Sequence, residues 1–326
     1  MLNQKSSLAL SILVITLGLT ACHKPDSKKA EPSVDQTATS QVPDTSMLLQ
    51  GDTEKVKVNM PECDGKSCPE FSVERLKTNQ AFVDDIIDQA ILKNLAQILD
   101  VAQLIKPKKV PDQQQSVSQS SASEIQENVN KTPAQQLQDQ VQPFTNSFLE
   151  LDKDLKTLGA SSQINVTVSP KILNADKPLA TVVLNTSSYL GGAHGSSAQT
   201  YYNFDMTMKK QVGLTQILEA NQKVKLEKLA YKAFKTWITD AKLADNIAEY
   251  EQVWKFKLSE NFYLSKQGLI LQYGEYEIGP YVVGLPRLTI PYDQLKGVLK
   301  KQYFPAEMQV DQPSVSAPVV SVKANQ

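Results

Sequence analysis

Ser187-Ser-Tyr-Leu-Gly-Gly-Ala-His-Gly-Ser-Ser-Ala-Gln-Thr-Tyr-Tyr-Asn-Phe-Asp205 is the stretch around which this chain is organised. A β-rich run ending at Tyr189 leads into it, and Tyr202, Phe204 and Met206 alternate on the way out. Between them Gly191, Gly192 and Gly195 surround His194, the only histidine beyond the extreme N-terminus. Glycines gather where the backbone turns through positive φ or lies close against another group. The stretch therefore reads as two strands joined by a glycine loop that carries a histidine. It locates the fold and a candidate site, and by itself it names no chemistry.

Upstream, Leu179–Leu184 reads as a strong strand, Asn174-Ala-Asp-Lys-Pro178 as a turn, and Ile164, Val166 and Val168 alternate. Downstream, a turn near Lys209-Lys210 leads to a further strand candidate, Val212–Leu218. These connections are too short for helical crossovers, so the pairing is expected to be antiparallel. Nearer the N-terminus, Val56 and Val58 alternate with lysines, and Phe71–Leu76 reads as another strand. Thr78 or Asn79 can cap the helix that follows, whose apolar stripe runs Val83, Ile87, Ile91, Leu95, Ile98, Ala102 and Ile105. A second helix is expected from Thr132-Pro133 to Leu158, with Leu137, Val141, Phe144, Phe148, Leu151, Leu155 and Leu158 on one face. Pro143 inside it predicts a kink or a later start. The pattern would also suit a coiled coil, but three heptads beside so many strands read as core packing.

After the glycine loop come a helix over Asn221–Lys242, a shorter one between Asp245 and Lys257, and a hairpin of Phe262–Leu264 with Leu269–Tyr273. A loop punctuated by Gly274, Gly279 and Pro280 then leads to a last strand, Arg287–Ile290, and a last short helix, Pro291–Lys301. The fold class is α+β, an antiparallel sheet with long amphipathic helices packed on it, as one domain over 55–305.

The ends read differently. Lys5, an apolar run from Leu8 to Leu19 and Leu19-Thr-Ala-Cys22 form a signal of the bacterial lipoprotein kind, with 1–21 removed and lipid on Cys22. The apolar run is short for a bilayer span, and an uncleaved anchor is the alternative. Residues 22–54, rich in Ser, Thr, Asp, Lys and Pro, read as a disordered tether. The Gln/Ser-rich segment 107–133 reads as a surface insertion and 306–326 as a disordered tail. Acyl chains contribute roughly 0.8 kcal/mol per buried methylene, so the expected location is the cell envelope, lipid-anchored. His23, not Asp, follows Cys22, which points to the outer membrane, facing the periplasm.

With Cys22 lipidated, Cys63 and Cys68 remain. In an oxidising envelope they are expected to form a disulfide, contributing about 2 kcal/mol in the chain-entropy picture. A zinc half-site is the alternative, but a tetrahedral site needs more Cys or His than this chain supplies. No cofactor and no metal are expected. Lys and Arg number 34 against 35 Asp and Glu, and no basic run follows the signal. A nucleic-acid partner is not expected from that balance. There is no Gly-x-Ser-x-Gly elbow, P-loop or His-Glu-x-x-His motif, and Ser196 or Ser197 beside His194 is a weak nucleophile signal.

Two segments carry a family resemblance. The first is Ser188-Tyr-Leu-Gly-Gly-Ala-His-Gly195 with Asn203-Phe-Asp205. The second is Phe262–Asp293, with Gly268-Leu269, Tyr276-Glu-Ile-Gly-Pro-Tyr281, Gly284 and Ile290-Pro291. Together they resemble the extracytoplasmic C-terminal module of RsiV-type anti-sigma factors, which is also found ahead of some polysaccharide deacetylase domains. The resemblance covers about 187–304 and implies an α+β fold with a binding role. Lysozyme is the partner it implies. The chain departs from that pattern at Met206-Thr-Met-Lys-Lys210, where the family tends to place a glycine. It also lacks the sigma-binding segment and a deacetylase domain, so neither activity carries over.

The binding surface is expected from Tyr189, Gly191, Gly192, His194, Tyr276, Glu277, Pro280 and Tyr281. His194 has three readings: a structural histidine bonded to a carbonyl, a partner contact, or a catalytic or metal group suited by its near-neutral titration. Tyr276 and Tyr281 either point outward as anchors or fold inward. Lysozyme-like hydrolases and peptidoglycan are the expected partners. The rival function is a wall-glycan hydrolase using His194 with Asp205, Glu275 or Glu277.

Overall fold

A computed structural model describes residues 48–65, 67–100 and 131–309. The lipoprotein signal, Cys22, most of the tether, the insertion up to 130, and Ala102 and Ile105 of the first stripe lie outside the described residues. No helix among those described is long and apolar enough to cross a membrane.

The first strand, β1 (Gly51–Lys55), begins inside the stretch expected as tether. Leu49 is buried, and the Asn79 side chain accepts from the Gln50 amide and donates to the Leu48 carbonyl, which clips this segment down. β2 (Glu70–Thr78) follows, then α1 (Ala81–Leu99). The residue at the helix N-cap is Gln80, without a side-chain cap, and neither Thr78 nor Asn79 serves. Thr78 instead ends its strand by donating its amide and hydroxyl to Asp84, while Asn79 is spent on the clip. α2 (Pro133–Thr157) starts at the expected place, and Thr132 and Gln135 form a reciprocal capping box. The helix runs on through Pro143.

β3 (Asn165–Asn174), β4 (Ala180–Tyr189), β5 (Ser196–Asp205) and the short β6 (Lys210–Gln211) complete a six-stranded sheet in the order β1-β2-β3-β4-β5-β6. Every pairing in it is antiparallel except β2 with β3, which is parallel. The helical pair between those strands returns the chain to the same end of the sheet, which is what a parallel neighbour requires. α1 and α2 bury Ile87, Ile91, Leu95, Val141, Phe144 and Phe148 in one cluster with Val166, Val168, Val182 and Leu184 of the strands.

Val212–Leu218, expected as a strand, forms a 3-10 turn at Leu214–Ile217. α3 (Lys223–Asp240) and the short α4 (Ile247–Val253) follow. They precede a second sheet, antiparallel throughout: β7 (Phe262–Leu264), β8 (Gly268–Gln272) and β9 (Arg287–Pro291). Leu226, Ala230, Phe234 and Ile238 of α3 pack with Leu269, Leu271, Leu288 and Ile290 in a second core. The helix expected over Pro291–Lys301 is instead a series of turns ending in a 3-10 turn at Lys301–Tyr303. Gly297 at φ +69° leaves helical geometry, and Leu299 bridges back to Leu218. A last turn of helix, α5 (Ala306–Gln309), occupies the start of the expected tail.

The two sheets are joined by side chains standing in for a strand. Asn261 accepts from the Tyr201 amide at 2.8 Å and donates to the Gln199 carbonyl at 2.7 Å, satisfying the open edge of β5. Asn203 donates in return to the Phe262 carbonyl at 2.8 Å. The rings of Tyr201 and Tyr263 stack 4.4 Å apart across the joint.

Two buried phenols make this part alkali-sensitive. Tyr273 donates to the Lys257 carbonyl and Tyr292 to the Ser265 carbonyl. Burial pushes both phenols up, Tyr292 to about 12 from its ordinary 10.0. A phenol with a raised folded value keeps its proton in the fold, so its stabilisation is intact below pH 10 and lost as pH rises toward 12. The melting temperature is therefore expected to fall steeply between these limits, and Tyr292→Phe to flatten part of the fall. A melting temperature that does not change over that range would contradict it.

Candidate functional site

The turn between β4 and β5 is six residues, 190–195, because β5 begins earlier than the alternation of Tyr202 and Phe204 shows. Gly191 adopts φ +85°, where a side chain is strained. A Cβ at Gly195 would approach the Ser188 carbonyl oxygen to 2.9 Å. Tyr189 donates its hydroxyl to the Gly192 carbonyl at 3.0 Å. Tyr189, Gly191 and Gly192 thus shape the hairpin, and His194 is presented at its exposed tip.

The facing loop runs from Tyr273 to Tyr281. Glu277 holds it in place: one carboxylate oxygen accepts from the Gly274 amide at 2.6 Å, and the other pairs with Lys257 at 2.6 Å. Glu275 ties the loop to the hairpin by accepting from the Ser197 amide at 3.0 Å and the Ser196 hydroxyl at 3.1 Å. Behind it, a Cβ at Gly279 would meet the Tyr250 hydroxyl at 2.8 Å and the Trp237 ring at 3.0 Å. Between these anchors Tyr276 is held at φ +61°, a conformation costly for a tyrosine. Pro280 opens the 3-10 turn Tyr281–Val283.

The structure brings His194, Tyr276 and Tyr281 together. The imidazole stacks on the Tyr281 ring at 4.0 Å between centroids and 20° between planes. Tyr281 donates to the Gly195 carbonyl at 3.0 Å, and the Tyr276 hydroxyl lies 3.0 Å from His194 Nε2. Nδ1 lies 3.1 Å from the Gly195 carbonyl oxygen. A carbonyl only accepts, so Nδ1 carries a proton toward Gly195, while Nε2 and the Tyr276 hydroxyl share the second hydrogen bond. The rings of Tyr276 and Tyr281 stack at 5.7 Å, and Trp254 continues the row, 6.4 Å from Tyr276. Tyr281 folds inward onto the hairpin, whereas Tyr276 stays 49% exposed.

Val253, next in sequence to Trp254, is 72% exposed, and Val282, next to Tyr281, is 87% exposed. Sequence reasoning missed Trp254 and both valines. Trp254 directly follows α4, and its only signal is that tryptophan is rare in this chain.

Asp205 does not belong to the site. It lies at the far end of β5, about 30 Å of extended strand from the hairpin tip, and accepts from the Thr207 and Met208 amides of the next turn. Glu275 and Glu277 are near, but their oxygens are occupied by the loop bonds above. Both His194 ring nitrogens face uncharged groups, which does not make the acid–base pair a glycan hydrolase needs. Among the described residues no three His, Cys, Asp or Glu side chains converge as a metal site would require. Cys63 and Cys68 form a disulfide in the loop before β2, with Cα atoms 5.8 Å apart.

The peptidoglycan-N-acetylmuramic acid deacetylase PdaC of Bacillus subtilis is 25% identical over 164 residues, covering 48% of this chain and 34% of that protein. The chain therefore spans about a third of that relative's length. A DUF3298 family protein from Pseudomonas aeruginosa, of known crystal structure, superposes with TM-score 0.52 at 22% identity. That match covers 79% of this chain and 95% of the other, and it is a likeness of fold. A DUF3298 member from Bacteroides fragilis gives TM-score 0.48 at 18% identity, covering 78% and 94%. Residues 215–293, which include the Tyr276–Tyr281 loop and exclude the His194 hairpin, match the family described as "Protein of unknown function (DUF3298)", so the chain carries a DUF3298 domain.

Proposed function

We propose that this chain is a lipid-anchored protein of the cell envelope whose folded part captures a cell-wall macromolecule on the Tyr276 face. The observation that carries this reading is the half-exposed Tyr276 ring, stacked between Trp254 and Tyr281 over a fixed His194–Tyr281 pair. Rigid aromatic anchors are what a binding surface presents, and fixing them beforehand lowers the ordering cost of association. The lipid on Cys22 places that surface at the outer membrane, facing the periplasm.

The first partner is a lysozyme-like hydrolase. A half-exposed row of aromatic rings suits a protein surface, and the resemblance to the RsiV-type module points the same way. Peptidoglycan is the second, supported by the relative that is a peptidoglycan deacetylase.

A wall-digestion assay separates these readings from catalysis. Full-length protein in detergent is added to purified cell walls, with and without lysozyme. Slowed digestion by lysozyme supports the hydrolase partner, and co-sedimentation with walls alone supports peptidoglycan. Digestion of walls by the protein alone, abolished in His194→Ala, would replace the binding role with the enzymatic one.

A further inference from the structure

Beside the His194 hairpin, on the side of α1, lies a cleft of about 570 Å³ that the aromatic row does not use. Asn94 and Gln97 of the last turns of α1 line one wall. Thr186 and Ser188 of β4 line the other, with their cross-strand partners Ala198 and Ser196 on the same face of the sheet. Ile98 and Leu190 add apolar surface to the lining. No Asp, Glu, Lys or Arg lies among the described residues that line it.

That composition selects a ligand class. An anion would need Arg or Lys beside it, and a hard cation would need carboxylates. Amides and hydroxyls offer both donors and acceptors to a ligand that carries both. The apolar side chains of Ile98, Leu190 and Ala198 in the lining suit a sugar C–H face or an acetamide methyl. We propose that this cleft binds a short, neutral, N-acetylated saccharide chain. The assignment does not depend on which macromolecule the Tyr276 face holds, although His194 borders both.

Calorimetric titration of the full-length protein in detergent with chitotriose tests it, alongside cellotriose and inorganic phosphate. The expected result is saturable binding of chitotriose, weaker binding of cellotriose and none of phosphate. Gln97→Ala and Thr186→Val should each weaken chitotriose about five-fold, the loss of one hydrogen bond. Gln97 is exposed on a helix, so its replacement by alanine leaves the fold intact. It decides the matter if Thr186→Val fails to fold. The proposal is overturned by absence of saturable binding, by binding indifferent to the cleft variants, or by equal binding of phosphate. A loss caused by Tyr276→Ala alone would move the sugar to the aromatic face and overturn it as well.

Discussion

Replacing Arg75 by methionine is expected to cost about 3 kcal/mol at neutral pH, because it strands a buried carboxylate. Arg75 of β2 is almost fully buried and sits between two acids. It donates from Nη2 and Nε to Asp88 of α1, the shorter bond at 2.8 Å, and from Nη1 to Glu54 of β1 at 2.8 Å. One guanidinium therefore joins a helix to two strands. Burial pushes the Asp88 carboxyl up to about 6 even with these bonds in place, so desolvation already outweighs the pairing. An acid raised in the fold contributes stability at low pH that is lost as pH rises through about 6.

Without Arg75 that loss should become steeper, and the variant should recover toward wild type below pH 5. Arg75→Met combined with Asp88→Leu should restore most of the stability, since an apolar pair carries no desolvation cost. Urea unfolding of the three proteins at pH 5 and pH 7.5 checks this. A single-variant cost under about 1 kcal/mol, or a double variant no better than the single, would contradict the account.

Gly268→Ala should be as damaging for a different reason. Gly268 pairs with Pro291 where β8 and β9 meet, at φ +155°. An added Cβ would overlap the Ile290 carbonyl oxygen and come within 2.9 Å of the Pro291 Cα. These are backbone atoms of a paired strand and cannot rotate away. The strands must separate or the register must slip, at a cost of about 3 kcal/mol or more. For a domain of this size that lowers the melting temperature by roughly 6–12 °C. Gly159 is the control: it also has positive φ, but nothing lies within 4 Å of its added Cβ. Gly159→Ala should cost only about 1 kcal/mol. Equal losses at the two positions would show that backbone conformation, and not the close approach of β9, sets the cost at Gly268.

Much of this architecture is legible in local pattern. The spacing of Ile87, Ile91 and Leu95 marks α1, Thr132-Pro133 marks the start of α2, and Lys266-Gln267-Gly268 marks the second hairpin. Features that depend on partners distant in sequence are not legible. The parallel register of β2 with β3 follows from where the helical pair returns the chain, which no local window contains. Nothing near Asn261 says that its amide will serve as a strand edge for Tyr201, 60 residues away.

The candidate site divides the same way. Glycines mark both loops, and their residues are named by sequence. That the loops meet, that Tyr281 turns inward onto His194, and that Asp205 lies at the opposite end of its strand are consequences of strand length and tertiary packing.

Whether the Tyr276 face is a recognition surface is decided by titrating full-length protein and its Tyr276→Ala variant with lysozyme and with solubilised peptidoglycan in parallel. One of the two partners should bind wild type saturably, and Tyr276→Ala should weaken it at least ten-fold, about 1.4 kcal/mol, without lowering the melting temperature. Absence of binding by both partners up to about 100 μM, equivalent to roughly 5.5 kcal/mol, or equal binding by the variant, would contradict it.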